Sequence, residues 1–237
     1  MVVAGIVAGG TGKRMNNCTI PKQFLELEGK PIIIHTIEKF LACDAIDAIV
    51  VGVHQEWKDY TEELVYKYLG ENTEVLITAG GENRNNTIEK IIEKAKTVWR
   101  IDDETIFVTH DAVRPFVSLK VIEKNVLAGK KYGVCDTVIV ATDTIVESTN
   151  QKCITDVPIR KNMYQGQTPQ SFKYGLFAQV YQSITKEEIK LATDVCKLFF
   201  LKGYKVYLVE GDVSNFKITY PYDFEMAKFM IGEKGND

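Results

Sequence analysis

The chain has 237 residues, 45% hydrophobic and 26% charged, with a formal net charge of -3. A chain of this length can bury a sizeable core, and its charge balance excludes the broad basic footprint of a DNA- or RNA-binding protein. No apolar run reaches the roughly 18 residues that span a bilayer, and five cysteines without CxxC spacing argue against a disulfide framework or a structural zinc site.

The first predicted element is a strand, "VVAGIVA" at 2–8, apolar throughout as a strand buried on both faces should be. It runs into "VAGGTGKRM" at 7–15. A Walker loop would need Gly at 7 and Ser or Thr at 14, where Val7 and Arg14 stand. A dinucleotide fingerprint would need a small residue at 15, where Met15 stands. What remains is a glycine-rich turn whose backbone N–H groups can meet an anion, with Lys13, Arg14 and then Lys22 of "PKQF" close behind. Such a set suits a polyphosphate; a tight turn flanked by solvated cations is the plainer reading.

Helical spacing follows in "PIIIHTIEKFLA", where His35 reads as a packed or surface residue, and then a strand "AIVVGV" at 48–53. "WKDYTEELVYKYL" predicts the next helix and "EVLIT" at 74–78 the next strand, which ends on "AGGENRNNT" at 79–87. Its two glycines, amides and hydroxyls can meet the edge of a base, although a capped turn would look alike. A helix stripe of Ile88, Ile91, Ile92, Ala95 and Val98 comes next, then a strand "TIFVTH" at 105–110. Its end, "THDAVRPF", presents Asp111 and Arg114: a carboxylate for a divalent cation or a sugar hydroxyl and a cation for phosphate, or else an ion pair that fixes a loop.

"SLKVIEKNVLAGKKY" predicts a helix and "DTVIVA" at 136–141 a strand. From 141 to 172 the rhythm breaks: a hairpin around "STNQ", projecting at 141–160, leads into an irregular stretch with a turn at Thr168–Pro169. A projecting arm of this kind serves as a dimer contact or a cover over a site, or merely decorates the surface. A last strand, "KVYLVE" at 205–210, precedes "SNFKITYPYDF" with Lys217. Arg160 and Lys217 stand among uncharged polar and aromatic neighbours, unlike lysines on a solvated helix face. No metal-ligand spacing, GxSxG elbow or Cys–His pair appears.

Alternating strands and helices predict an α/β fold, a mostly parallel sheet covered by helices, forming a single domain over 1–237. Ligands in such sheets bind beyond the carboxyl ends of the strands, where these motifs fall. Glycine turns, cations, one carboxylate and no nucleophile suit a transfer between two phosphorylated ligands, in which positioning and charge neutralisation do most of the work. The cysteine pattern and the lack of a leader or anchor motif point to a reduced, cytoplasmic protein with no membrane segment and no nucleic-acid partner. A silent nucleotide-binding module is the competing class, and a nicotinamide dehydrogenase a distant one.

In order along the chain, "AGGTGKRM", "PKQFLELEGKPIIIHTIEKF", "GGENRNNTI", "THDAVRPF", "DTIVESTNQKCITDVP", "YQGQTPQSF" and "NFKIT" resemble the family of small cytidylyltransferases that couple CTP to a polyol phosphate. The resemblance implies a Rossmann-like nucleotidyltransferase fold with a protruding β-arm through which homodimers form. It implies that Val7, Ala8, Gly9 and Gly10 hold CTP through their backbone, and that Gly81, Glu82, Asn83, Arg84, Asn85, Asn86 and Thr87 line the cytosine pocket. Arg14 and Lys22 would neutralise the triphosphate, while Arg160 and Lys217 would grip and aim the acceptor phosphate. Asp111 would touch the ribose or magnesium, the implied cofactor, and Arg114, Thr144 and Thr168 would join the acceptor site, some of it supplied by the partner subunit. The branch using ribitol 5-phosphate, which yields CDP-ribitol for teichoic acid or capsule polymers, matches "MYQGQTPQSF" and "HTIEKF" better than the branch using 2-C-methyl-D-erythritol 4-phosphate. One departure stands out: the aspartate that the second branch carries before its "NIK" segment is Ser214 here, with Asp212 nearby.

Overall fold

A computed structural model describes residues 1–10, 20–71 and 73–234, the side chains of 186, 233 and 234 excepted. The chain opens with β1 (Val2–Ala8), buried at every position but the partly buried Val7 because its neighbours cover both faces. A small antiparallel ribbon follows, β2 (Glu26–Leu27) and β3 (Lys30–Pro31), closed by Glu28 and Gly29 at positive φ. Then come α1 (Ile32–Leu41), β4 (Ala48–Val53), α2 (Lys58–Leu69), β5 (Val75–Ala79), α3 (Arg84–Lys96) and β6 (Ile106–Asp111). The second half holds α4 (Leu119–Tyr132), β7 (Val134–Val140), β8 (Tyr164–Lys173), α5 (Tyr174–Ser183), α6 (Lys186–Leu191), α7 (Val195–Leu201), β9 (Tyr207–Glu210) and α8 (Pro221–Lys234).

Among the described residues, the main sheet runs β5-β4-β1-β6-β8-β7-β9. β5, β4, β1 and β6 are parallel neighbours, β8 lies antiparallel to both β6 and β7, and β9 returns parallel to β7. Period two along β1 sends alternate side chains into two cores. Ala4, Ile6 and Ala8 meet Ile33, Ile37 and Phe40 of α1 and Val121, Ile122 and Val126 of α4 on one face. On the other face Val3 packs with Ile88, Ile91, Ile92 and Ala95 of α3, Phe177 of α5 and Phe199 of α7. A third, smaller core of Leu27, Ile32, Val113, Ile218 and Ala227 seats α8 against the ribbon.

The α/β architecture with helices on both faces is the one expected, and two of the strands match to the residue. The stretch expected to be irregular is instead β8, ten residues long and inserted between β6 and β7. Thr168–Pro169 is therefore a cis peptide inside a central strand rather than a turn. The projecting hairpin is slight: a single bridge, Glu147 with Asp156, joins its two sides, and Thr155 N also donates to Glu147 O at 2.8 Å. Val98 falls beyond the end of α3 and is exposed, so the helix stripe stops at Ala95. Cys43, Cys135 and Cys196 are buried as packing residues, whereas Cys153 sits exposed in the hairpin.

Candidate active site

The parallel strands end level with one another: Val7 lies opposite Gly52 and Asp111, and Val53 opposite Ala79. Beyond these ends opens a cleft of about 780 Å³, within the range of small-molecule sites. One wall is backbone. Gly9 and Gly10 line it, and the Gln23 side-chain amide holds them by donating to Ala8 O at 2.7 Å and Gly10 O at 3.1 Å. The turn after β5 forms a second backbone wall. Thr87 Oγ1 accepts from Gly81 N at 3.1 Å and donates to Asn83 O at 2.9 Å, folding 80–87 into a tight bracket. A Cβ on Gly81 would stand 2.4 Å from Asn86 Cβ, so the bracket needs glycine there. Asn83 then caps α3 by accepting from Asn86 N at 2.9 Å.

The opposite wall is charged. Asp111 Oδ1 accepts from Arg84 Nε at 3.1 Å, while Lys217 Nζ reaches Oδ2 at 2.9 Å and Arg114 Nε stands 3.7 Å from that oxygen. Burial alone would push the Asp111 carboxyl up, but Arg84, Lys217 and Arg114 outweigh it and hold the group well below the usual carboxylate range. Three cations thus face one anion, leaving an excess of positive charge beside the backbone walls. Both terminal nitrogens of Arg84 are buried without a hydrogen-bond partner among the described residues, and Arg84 lines the cleft. Lys22 also lines it, its ammonium donating to Ile218 O at 2.8 Å.

Behind Asp111 lies a second shelf of polar groups. Thr168 Oγ1 accepts from Asp111 N at 3.1 Å and pairs with His110 Nδ1 at 2.9 Å, while His110 Nε2 lies 3.1 Å from Arg114 O. Burial pushes His110 down to about 4, so this histidine is neutral at ordinary pH. Arg114 Nη1 donates to Asn215 O at 2.7 Å, which fastens the segment that carries Lys217.

The structure therefore gathers Val7, Ala8, Gly9, Gly10 and Lys22 on one side of the cleft. Gly81, Glu82, Asn83, Arg84 and Thr87 stand on another, with Asp111 and Lys217 at the charged wall. Other expected residues sit elsewhere. Asn85 is turned into the protein, its amide donating to Ala192 O at 3.0 Å, and the Asn86 amide reaches Tyr181 OH at 3.5 Å, so neither side chain lines the cleft. Arg114 and Thr168 are buried supports of Asp111 rather than wall residues. Thr144 is exposed in the hairpin, and Arg160, also exposed, donates to Thr142 O at 3.3 Å at the hairpin's base, outside the cleft. Arg14 lies outside the described residues. Sequence reasoning passed over Gln23, His54, Gln55, Ala112 and Val113 as site residues, all on the cleft wall, and took Gly80 only as one of the two glycines in its turn. The strand-end rule points to His54, Gly80 and Ala112, each of which follows a strand directly; for Gln23 no pattern did.

A family profile described as "2-C-methyl-D-erythritol 4-phosphate cytidylyltransferase" (IspD) matches residues 2–233. The chain belongs to this cytidylyltransferase family. As such it is a nucleotidyltransferase by class. Curated cytidylyltransferase relatives include two named ribitol-5-phosphate cytidylyltransferase, from Streptococcus pneumoniae strains Hungary19A-6 and ATCC 700669 / Spain 23F-1. Each is 50% identical over 232 residues, covering 98% of this chain and 99% of the relative. Among solved structures, the 4-diphosphocytidyl-2C-methyl-D-erythritol synthase of Anaerococcus prevotii DSM 20548 superposes with a TM-score of 0.77 at 25% identity, over 98% of this chain and 96% of its own. The Francisella tularensis 2-C-methyl-D-erythritol 4-phosphate cytidylyltransferase gives 0.79 at 24% identity, over 96% of this chain and 98% of its own, and so shares the cytidylyltransferase fold. No described helix is long and apolar enough to cross a membrane.

Proposed function

We propose that the protein transfers the cytidylyl group of CTP to D-ribitol 5-phosphate, giving CDP-ribitol and pyrophosphate. The observation that carries this reading is the shared cleft: a glycine-rich backbone wall, Lys22, and the Arg84–Asp111–Lys217 cluster face one space. The acceptor is chosen on kinship, since relatives 50% identical over nearly the full length bear the ribitol name. Solved structures bearing the methylerythritol name stand at 23–25% identity.

In this mechanism a phosphate oxygen of the acceptor attacks the α-phosphorus of CTP in line. One P–O bond forms, the bond to the bridging oxygen of pyrophosphate breaks, and pyrophosphate carries the charge away. The acceptor is already anionic near neutral pH, so no side chain must take a proton. The obstacle is repulsion: two unit charges 4 Å apart at an effective dielectric of 20 repel by about 4 kcal/mol. Lys22 would neutralise the triphosphate, with Arg14 as the second cation the resemblance implies, and Lys217, released in part from Asp111, would face the acceptor phosphate.

Magnesium fits such a site in one way. Among the described residues no three His, Cys, Asp or Glu gather into a cage, but Mg²⁺ is commonly held by one or two carboxylates plus substrate phosphates. Asp111 has lone pairs left beyond those that Arg84 and Lys217 occupy, so it would hold the ion. When bound, the ion would supply charge neutralisation on the phosphate oxygens.

The hairpin supports a dimer in the same reading. It exposes Val146, Ile154, Val157 and Ile159, and Arg160 at its base does not line its own cleft, so in this reading it would enter the cleft of a second copy. In the cell the product would feed teichoic acid or capsule synthesis from the cytoplasmic side. The decisive test is mass identification of the product after incubating CTP and magnesium with ribitol 5-phosphate or with 2-C-methyl-D-erythritol 4-phosphate. CDP-ribitol is expected. CDP-methylerythritol alone would move the protein to the other branch, and CTP binding without any product would make it a silent nucleotide-binding module.

A further inference from the structure

We infer that Gln23 is the positioning residue that keeps the glycine-rich turn open to the phosphates of a nucleotide, an inference that rests on the CTP-binding reading above. A peptide unit carries its N–H and C=O on opposite sides. A turn that offers N–H groups to an anion must therefore direct its carbonyl oxygens away from that anion and satisfy them elsewhere. Here the carbonyls of Ala8 and Gly10, at either side of Gly9, converge on one atom, Gln23 Nε2, at 2.7 and 3.1 Å. Only the NH₂ end of a carboxamide can face two carbonyls, because its oxygen end would repel both.

The donor is also held firmly. Gln23 is 2% exposed and sits in a short turn, Lys22–Phe24, whose backbone is closed by Phe24 N to Pro21 O at 2.9 Å and Leu25 N to Lys22 O at 3.1 Å. The next side chain, Phe24, is buried and stacks on Trp57 with ring centroids 5.0 Å apart. The amide is thus anchored in the core while its tip reaches the cleft wall. A Ser or Ala cannot span that gap. A Glu spans it but turns lone pairs and a charge toward two carbonyls. Gln23 touches no reacting atom in this account: it acts through the backbone it holds, and its effect must scale with the phosphates of the ligand.

That scaling supplies the test. The Gln23→Met variant keeps the length and burial of the side chain and removes both N–H donors. Affinities of wild type and variant for CTP with magnesium, and for cytidine, which has no phosphate, are measured by titration calorimetry on the whole chain. The CTP-to-cytidine affinity ratio should fall at least fivefold in Gln23→Met, with circular dichroism unchanged. A ratio within fivefold of wild type, including an equal loss toward both ligands, overturns the inference and leaves Gln23 a mere packing residue. Should Gln23→Met not fold, Gln23→Asn, which keeps the amide but draws it back from both carbonyls, is read by the same ratio. A wild-type protein that binds CTP yet forms no product refutes the proposed reaction while leaving this ratio measurable, so the two failures are distinguishable.

Discussion

The two halves of the sheet obey different rules. In the parallel half, β5-β4-β1-β6, the strands are β-branched runs, and their core contacts are apolar on both faces. In the antiparallel half, β6-β8-β7, the contact between elements is largely polar and buried: Asn125 Nδ2 donates to Thr137 Oγ1 and to Pro169 O, both at 2.8 Å, Ser171 Oγ donates to Asn125 Oδ1, and Gln170 Nε2 donates to Asp136 Oδ1 at 2.9 Å. The first half supplies backbone, ending in the two glycine walls of the cleft. The second supplies the scaffold that holds charge, because Thr168 on β8 fixes Asp111 and Asn215 fixes Arg114. Hydrophobic packing tolerates a shift of a few tenths of an ångström, but a hydrogen-bonded support defines direction. A site that must aim cations at two anions gains from resting on the second kind.

The comparison breaks most visibly at the charged wall. Lys217→Ala should lower kcat/KM on the order of 10²–10³, by analogy with the loss of one donor at a developing charge, and Lys22→Ala by a similar factor. Both are read by pyrophosphate release at saturating magnesium. Near-normal turnover in a folded variant would remove the cations from the mechanism. Next in size is the polar scaffold. Asn125→Ala leaves Ser171 and Thr137 short of partners deep in the core and should cost about 3 kcal/mol in urea unfolding. The apolar half answers differently. At Gly52 a Cβ would stand 2.6 Å from Thr87 Cγ2 and 3.0 Å from Ile91 Cδ1, so Gly52→Ala must push α3 outward. That overpacking should cost about 1–3 kcal/mol and, by moving Thr87, raise the KM for CTP. A stabilised Gly52→Ala would show that α3 has slack against the sheet.

The same contrast explains what could be seen in the sequence. β1 and β4 were legible to the residue because a strand covered on both faces must be apolar at every position, and "VVAGIVA" and "AIVVGV" admit little else. β8 was not, because "YQGQTPQSFK" carries polar side chains and a proline where a central strand is expected to have neither. Its glutamines, threonine and serine are paid for by partners on β7, α4 and the 212–215 turn, residues no local window contains. The site divides likewise. Glycine turns at strand ends announce themselves, as does Asp111 at the end of β6. The assembly of Arg84, Asp111 and Lys217 depends on three distant segments meeting, and the resemblance to a known family put each in the site only with a separate role. Gln23 stayed hidden because a single amide beside Lys22 has no spacing signature, and its partners are backbone oxygens.

The smallest predicted effect tests the polar half by pH. Asp136 on β7 faces Gln170, with Asp194, Arg84 and Arg114 in its surroundings. Burial pushes its carboxyl up to about 7, against the Gln170 hydrogen bond, which lowers it. In the unfolded chain the group ionises near its ordinary 3.8. Between these values the folded state keeps a proton that the unfolded state has released, so raising the pH through this window costs the folded state stability, and above it the penalty stays constant. His110 and Asp111 act in the opposite sense. His110, held near 4, remains neutral while an unfolded histidine takes up a proton on acidification, and Asp111, held low, loses its pairing only in acid. Both contributions are common to wild type and to Asp136→Asn, so they cancel in the difference between the two. Asn keeps an acceptor for Gln170 and cannot ionise. Its melting temperature should match wild type near pH 3.5, below the window, and exceed it by roughly 2–8 °C at pH 8, the gap opening with rising pH. An equal gap at every pH would mean that Asp136 is already ionised in the fold, and that the antiparallel half carries its buried charge with as little strain as the cluster around Asp111.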